Sequence, residues 1–308
     1  MNNLMERVFL FNITVPVVIL SIFWPINTHI LLIILFGVFV TLLGSYELNS
    51  IILHKGVNIS RFFLPAVNLL IYLFAYFYAN NFFGISEKKY TLPLFCLFLV
   101  ILLSLIYAKD ILSTDFSKSL EKISITIFGL LYIGLPSFFL PFLLNISFSP
   151  ADPVLLFYNV NSGGTLTGSF LILYILVLIW TNDIFAYVFG MWLGRNNVIG
   201  LSASPKKSWA GYIGGYFSVF AIVGLYYLIF NRILNFPPAF YIIPPVFTGF
   251  LVPIGDLVES VVKRSVKVKD SGSIIMGRGG VLDSVDTILY VIPIFFICLQ
   301  VYFSFIAP

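Results

Sequence analysis

The chain has 308 residues, of which 60% are hydrophobic and only 10% charged, with a net charge of +4. Its mean hydropathy is +1.03. That balance excludes a soluble domain of this size and describes a polytopic membrane protein. Nine apolar segments follow one another, at roughly 8–25, 29–47, 62–80, 90–107, 123–145, 166–190, 210–231, 238–259 and 287–306. Each is about 18–25 residues, enough to cross about 30 Å of hydrocarbon as a helix. The runs are continuous rather than alternating, which predicts an all-α bundle and not a barrel. The first segment lacks an A-x-A-like cleavage site and eight more follow, so it reads as a span and not as a removed signal. Cys96 and Cys298 fall within spans, and neither has a metal-ligand neighbour in the sequence. His29 and His54 read as structural.

The basic residues distribute unevenly. Counting spans from the N-terminus, one side carries Arg7, Lys55, Arg61, Lys109, Lys118, Lys122, Arg195, Lys206, Lys207, Lys263, Arg264, Lys267, Lys269 and Arg278, which is 14 of 17. The other holds Lys88, Lys89 and Arg232. The positive-inside rule then predicts a cytosolic N-terminus and an external C-terminus, as nine spans require.

Residues 1–165 read as an N-terminal transmembrane scaffold, since no constellation of chemistry occurs before about Leu144. Asn161–Thr165, NSGGT, reads as a turn on the external side. Residues 166–308 form the candidate catalytic half, with cytosolic loops at 191–209 and 260–284. Polar signals begin in the sixth span, where Asn182 and Asp183 interrupt an apolar run ahead of Ala186-Tyr187. The next loop contains Ser204-Pro-Lys206-Lys207, then Ser208, Trp209 and spaced glycines. Ser208 is positioned to cap the seventh helix, leaving amides for an anion. The plainer reading is an ordinary cationic anchor with an interfacial Trp.

The densest signal is 255–286, where ten charges of both signs occupy thirty-two residues between two apolar segments. Asp256 and Glu259 lie at the inner end of the eighth span. A carboxylate at mid-membrane depth costs about 2.5–3.5 kcal/mol, so such residues are functional candidates by default. If that helix continues, Asp256, Ser260, Lys263 and Lys267 recur at i, i+4, i+7 and i+11 and share one stripe. A loop from Asp270 through Gly279-Gly280 leads to the ninth helix, with Asp283 and Asp286 in its first turn. For Asp286 a helix-dipole role and a site role both stand. No His follows residue 54, so Ser-His-Asp and Cys-His chemistry are excluded, and no Walker A or Rossmann pattern occurs. Carboxylates with cations remain, the parts for metal-assisted phosphoryl or nucleotidyl transfer.

Ser260, Lys263-Arg264, Lys269-Asp270, Gly277, Gly279-Gly280, Asp283 and Asp286 together resemble the signature of the phosphatidate cytidylyltransferases. Gly255-Asp256 with Glu259-Ser260, Asn182-Asp183 with Ala186-Tyr187, and Ser204-Pro-Lys206-Lys207 with Trp209, Gly211 and Gly214-Gly215 extend the resemblance over about 175–290. It departs at Arg278, Ser284 and Ala210, where the family usually has His, Arg and Glu. The changes at 278 and 284 offset each other in charge. The resemblance implies conversion of CTP and phosphatidate to CDP-diacylglycerol and pyrophosphate with Mg²⁺, and it allows a second, monovalent cation such as K⁺. It makes Asp256 and Asp283 the metal ligands and Lys206, Lys207, Lys263 and Arg264 the phosphate-holding cations. Asn182, Asp183, Ser204, Ser260, Lys269, Asp270, Arg278, Gly279, Gly280 and Asp286 become substrate-binding candidates. Expected partners are CTP, phosphatidate and membrane lipids, with no nucleic acid; a homodimer is left open. The expected location is the cell membrane, with the site facing the cytoplasm. Two other classes stay open: a CTP-dependent lipid-alcohol kinase and a non-enzymatic lipid transporter.

Overall fold

A computed structural model of the chain describes residues 3–24, 32, 35–53, 56–57, 60–80, 91–112, 116–145, 166–234, 241–275 and 279–305. Arg278, the Asn161–Thr165 turn, Lys88, Lys89, His29 and His54 lie outside these residues. Among the described residues, each of the nine apolar segments falls on a helix. In chain order these are α1 (Asn3–Phe23), α2 (Leu35–Ile52), α3 (Phe63–Ala79), α4 (Thr91–Ile111) and α5 (Ser119–Leu144). Then come α6 (Leu166–Leu193), α7 (Trp209–Leu234), α8 (Ile243–Ser265) and α9 (Leu282–Phe305). Among the described residues there is no β-strand, and six of the helices are long and apolar enough to cross a membrane. The reason is the one read from composition: in hydrocarbon the backbone must satisfy itself within the segment.

Two stretches wind more widely than an α-helix. Leu35–Gly44 in α2 and Leu130–Gly134 in α5 are π-helical. Such wide turns change which face the following residues present. The most extensive pairing is α6 with α7, followed by α3 with α5 and α8 with α9. Small residues bring α6 and α7 together: a Cβ on Gly211 would stand 2.6 Å from the Ala186 carbonyl oxygen and 3.3 Å from the Gly190 Cα. Close backbone approach of this kind is a common way for helices to associate in lipid. The spaced glycines after Trp209 therefore serve helix packing. Aromatic contacts join other pairs, with Phe74 stacked on Phe98 at 4.2 Å between α3 and α4. Tyr174 lies 4.7 Å from Tyr226 between α6 and α7.

Buried polar groups add directed links between helices. The Ser169 hydroxyl donates to the Ile22 carbonyl at 2.9 Å, tying α6 to α1. Asn68 donates to Ser45 Oγ at 2.8 Å, tying α3 to α2. In α8, Pro253 lacks an N–H, which leaves the Gly249 carbonyl without its intrahelical donor. Asn182 of α6, 1% exposed, supplies one at 3.3 Å.

Candidate active site

The loop between α6 and α7 spans 194–208, shorter at both ends than the 191–209 expected from the sequence, and folds back on itself through an Ile199–Lys207 backbone bond. As expected from the sequence, Ser208 caps α7, its Oγ accepting from the Gly211 N–H at 3.2 Å. This turn aims Lys207 at α8. Its Nζ lies 2.6 Å from Asp256 Oδ2 and donates to the Pro253 carbonyl at 3.2 Å. Lys206 is exposed and Ser204 half-buried in the turn.

On α8, Asp256 and Glu259 lie about one turn apart, and Asp286 of α9 joins them. One carboxylate oxygen from each of the three lies within 4.8 Å of the others. Glu259 and Asp286 are buried, whereas the Asp256 side chain is 42% exposed and forms the open edge of the group. Glu259 Oε2 is bound by Lys263 Nζ at 2.7 Å, while its Oε1 is buried with no hydrogen-bond partner among the described residues. Asp286 Oδ1 accepts from the Thr287 N–H at 2.7 Å. An orphaned, buried carboxylate oxygen among two further carboxylates fits a hard cation, which takes oxygen ligands.

Asp283 stands beside this trio, separated by a lysine. Its Oδ1 pairs with Lys263 Nζ at 2.5 Å, so Lys263 bridges Glu259 and Asp283. Its Oδ2 accepts from the Gly280 N–H at 2.7 Å, the Ser271 N–H at 2.8 Å and the Ser271 hydroxyl at 2.9 Å. Gly279 has φ of +104°, and a Cβ there would stand 2.6 Å from Asp283 Oδ2. Glycine at 279 is thus required twice over, by conformation and by space. The acids whose oxygens come together are Asp256, Glu259 and Asp286, a set that could hold a metal ion, and Asp283 is not among them.

The remaining candidates lie around this centre. Ser260 is half-buried on α8, and Asn182 is committed to the Gly249 carbonyl. Asp183, Lys269 and Asp270 are exposed. Arg264 is exposed and its Nη1 donates to the Val268 carbonyl at 2.9 Å. The expected four-residue stripe on α8 holds for three members. The helix ends at Ser265, and Lys267 lies beyond it with φ of +61°. The Val268 N–H reaches the Lys263 carbonyl at 3.0 Å and the Lys267 N–H the Arg264 carbonyl at 3.0 Å, a Schellman termination that turns Lys267 off the stripe. Ser284 donates to the Gly280 carbonyl at 3.2 Å.

Glu259, a functional candidate from the sequence as an intramembrane carboxylate but given no role there, stands in the acidic trio. One further residue stands out that the sequence reading left outside the site. Glu47 of α2, 3% exposed, was passed over with the rest of the N-terminal half. Its Oε1 accepts from the Val281 N–H at 3.0 Å, and its Oε2 from the Leu282 N–H at 2.9 Å and the Ser271 hydroxyl at 3.1 Å. Its signal was a lone acid in an apolar span.

Comparison with known proteins places the chain in a family. The profile of the Cytidylyltransferase family matches residues 5–302. A Thermotoga maritima protein named phosphatidate cytidylyltransferase is 31% identical over 268 residues, 85% of this chain and 85% of that protein. Proteins of the same name from Haemophilus influenzae and Bacillus subtilis are 37% and 34% identical over 130 and 131 residues. Each of these two alignments covers 42% of this chain, and 45% and 48% of the respective relative. Matched almost from end to end, the chain is a member of the cytidylyltransferase family.

Proposed function

We propose that this chain is a phosphatidate cytidylyltransferase, transferring CMP from CTP to phosphatidate to give CDP-diacylglycerol and pyrophosphate. The observation that carries the reading is the interlocked set of cations and carboxylates at the ends of α8 and α9, Lys207 with Asp256 and Lys263 with Glu259 and Asp283. A phosphate oxygen of phosphatidate forms a bond to the α-phosphorus of CTP. The bond from that phosphorus to the bridging oxygen breaks, and its electron pair leaves with pyrophosphate. Phosphomonoesters have a second pKa of about 6, so the attacking group is largely a dianion at neutral pH and needs no strong base. The absence of any His after residue 54 is compatible with this chemistry.

The barrier is bringing two anions together, and the residues divide that task. Asp256, Glu259 and Asp286 would hold Mg²⁺, and Asp283, here paired with Lys263, would add the further ligand that the family resemblance implies. When bound, the ion supplies positive charge against the phosphates. Lys207 and Lys263, each already oriented by a carboxylate, hold phosphate oxygens in line for attack. The exposed Lys206, Arg264 and Lys269 make the rim where an incoming nucleotide is first met. An apolar cavity of about 300 Å³ runs from Val258, Tyr132 and Tyr290 to Pro293 and Ile294. It offers an acyl chain a place against α5, α8 and α9 while the rest of the lipid stays in the bilayer.

The deciding assay is purified protein with CTP labelled in the α-phosphate, phosphatidate, and Mg²⁺ present or chelated. Label in CDP-diacylglycerol, lost on chelation, is the expected result. Label in CDP with a phosphorylated lipid would identify a lipid-alcohol kinase. Binding of lipid without turnover, indifferent to Mg²⁺, would identify a transporter.

Nine spans with a cytosolic N-terminus put the charged loops beside cytosolic CTP. In a background lacking Cys96 and Cys298, a cysteine at the exposed Ser273 should react with an impermeant reagent only from the cytosolic side. One near Ala307 should react only from outside. The opposite pattern would separate the site from CTP and reject the proposed orientation.

A further inference from the structure

We propose that Glu47 is a positioning residue for this reaction, holding the start of α9 so that Asp283 and Lys263 keep their places. Its activity readout rests on the function proposed above. Glu47 sits in α2, in the half of the chain that otherwise reads as scaffold, and it is 3% exposed. A carboxylate in an apolar helix is costly to bury unless its oxygens are bonded. Both are bonded here, and all three donors come from one distant loop.

Those donors explain the cost. The Val281 and Leu282 amides open α9 and have no acceptor within their own helix. Water is scarce at such a buried end, and the helix dipole favours an anion there. Gly280 and Gly272 leave the approach open, since a Cβ at either position would run into the Glu47 carboxylate. Two glycines in the loop are therefore shaped around a side chain from α2.

Asp283 grips the same loop from the other side. Its Oδ2 holds the Gly280 N–H and both donors of Ser271, while Glu47 holds Val281, Leu282 and the Ser271 hydroxyl. Ser271 is 4% exposed and its hydroxyl carries one proton. It lies 3.1 Å from Glu47 Oε2 and 2.9 Å from Asp283 Oδ2, and it accepts from the Asp283 N–H at 3.3 Å. The hydroxyl thus links the two carboxylates. From Asp283 the linkage continues through Lys263 to Glu259 and the ligating trio. Loosening the α9 terminus frees the Asp283 carboxylate to rotate, and Lys263 follows it. Groups that orient a site from behind in this way typically contribute about 10–100-fold.

The test is Glu47→Gln, which keeps the shape but replaces an acceptor oxygen with an NH₂ group facing N–H donors. The expected result is a kcat for CMP transfer lowered by about 10–100-fold with the KM for CTP within about threefold. Amide hydrogen exchange should quicken in the segment 271–284 and stay unchanged in the other helices. Turnover within about twofold of the unmodified protein at unchanged local exchange would overturn the inference. So would exchange that quickens throughout, which marks Glu47 as a support of the whole fold. Should Glu47→Gln not fold, Ser271→Ala cuts only the hydroxyl link, and an unchanged kcat in that variant is equally decisive against the proposal. If the unmodified protein makes no CDP-diacylglycerol, the proposed function fails while the exchange measurement still decides the role of Glu47.

Discussion

Asp256→Asn should lower CMP transfer by about 10²–10³-fold, the scale seen when a preorganised electrostatic group is removed from a site. Asp256 belongs to two arrangements at once. It is the most open member of the acidic trio, and it is the partner of Lys207 at 2.6 Å. Asparagine preserves the volume but removes the charge that both arrangements use. The trio then keeps two acids, and Lys207 loses the anion that orients it. The half-exposed position of Asp256 makes the change mild for folding, since exposed pairs of this kind contribute at most about 1 kcal/mol. The loss should therefore appear in kcat, with normal yield and normal melting in detergent. Raising Mg²⁺ should restore only part of it, because Lys207 stays without the anion that orients it. Initial rates over a wide Mg²⁺ range check this, and near-normal turnover across that range would remove Asp256 from the metal site.

Lys263→Met should have the largest effect on stability. The Lys263 side chain is 11% exposed and lies between Glu259 at 2% and Asp283 at 7%. Methionine fills nearly the same space but leaves two buried carboxylates unpaired. Breaking a buried ion pair by removing one partner costs about 3–5 kcal/mol, more than a neutral replacement of the whole set would. Glu259 Oε1 already lacks a partner among the described residues, so none of them replaces the lost lysine. The neighbouring Arg264 provides the internal comparison. It is exposed and among the described residues makes one hydrogen bond, to the Val268 carbonyl, so Arg264→Met should cost about 0.5–1.5 kcal/mol. Thermal unfolding of both variants in detergent measures the contrast. Equal melting of the two would mean that the Lys263 bridge does not hold α8 to α9.

The placement of the nine helices was legible in the residues because hydrocarbon leaves a chain few options. Each apolar run must close its own backbone bonds, and a helix does so without knowledge of its neighbours. The Ser208 cap was legible for the same reason, since a cap acts within three residues of itself. The chemistry was legible as composition: carboxylates and cations crowd into 255–286, with no histidine to compete. What only the tertiary structure decided is which of these groups meet. Asp286 joins Asp256 and Glu259, while Asp283 turns to Lys263 and the loop amides, a division that spacing along α9 leaves undetermined. Lys267 leaves its stripe because α8 terminates after Ser265. Asn182 is drawn to Gly249 because a proline four residues further along α8 frees that carbonyl. Glu47 reaches amides 234 and 235 residues away. Helical periodicity fixes directions around one axis and says nothing of the axis beside it. The distances between helices are set by small residues, wide π-turns and buried polar links, and these are properties of the packed bundle.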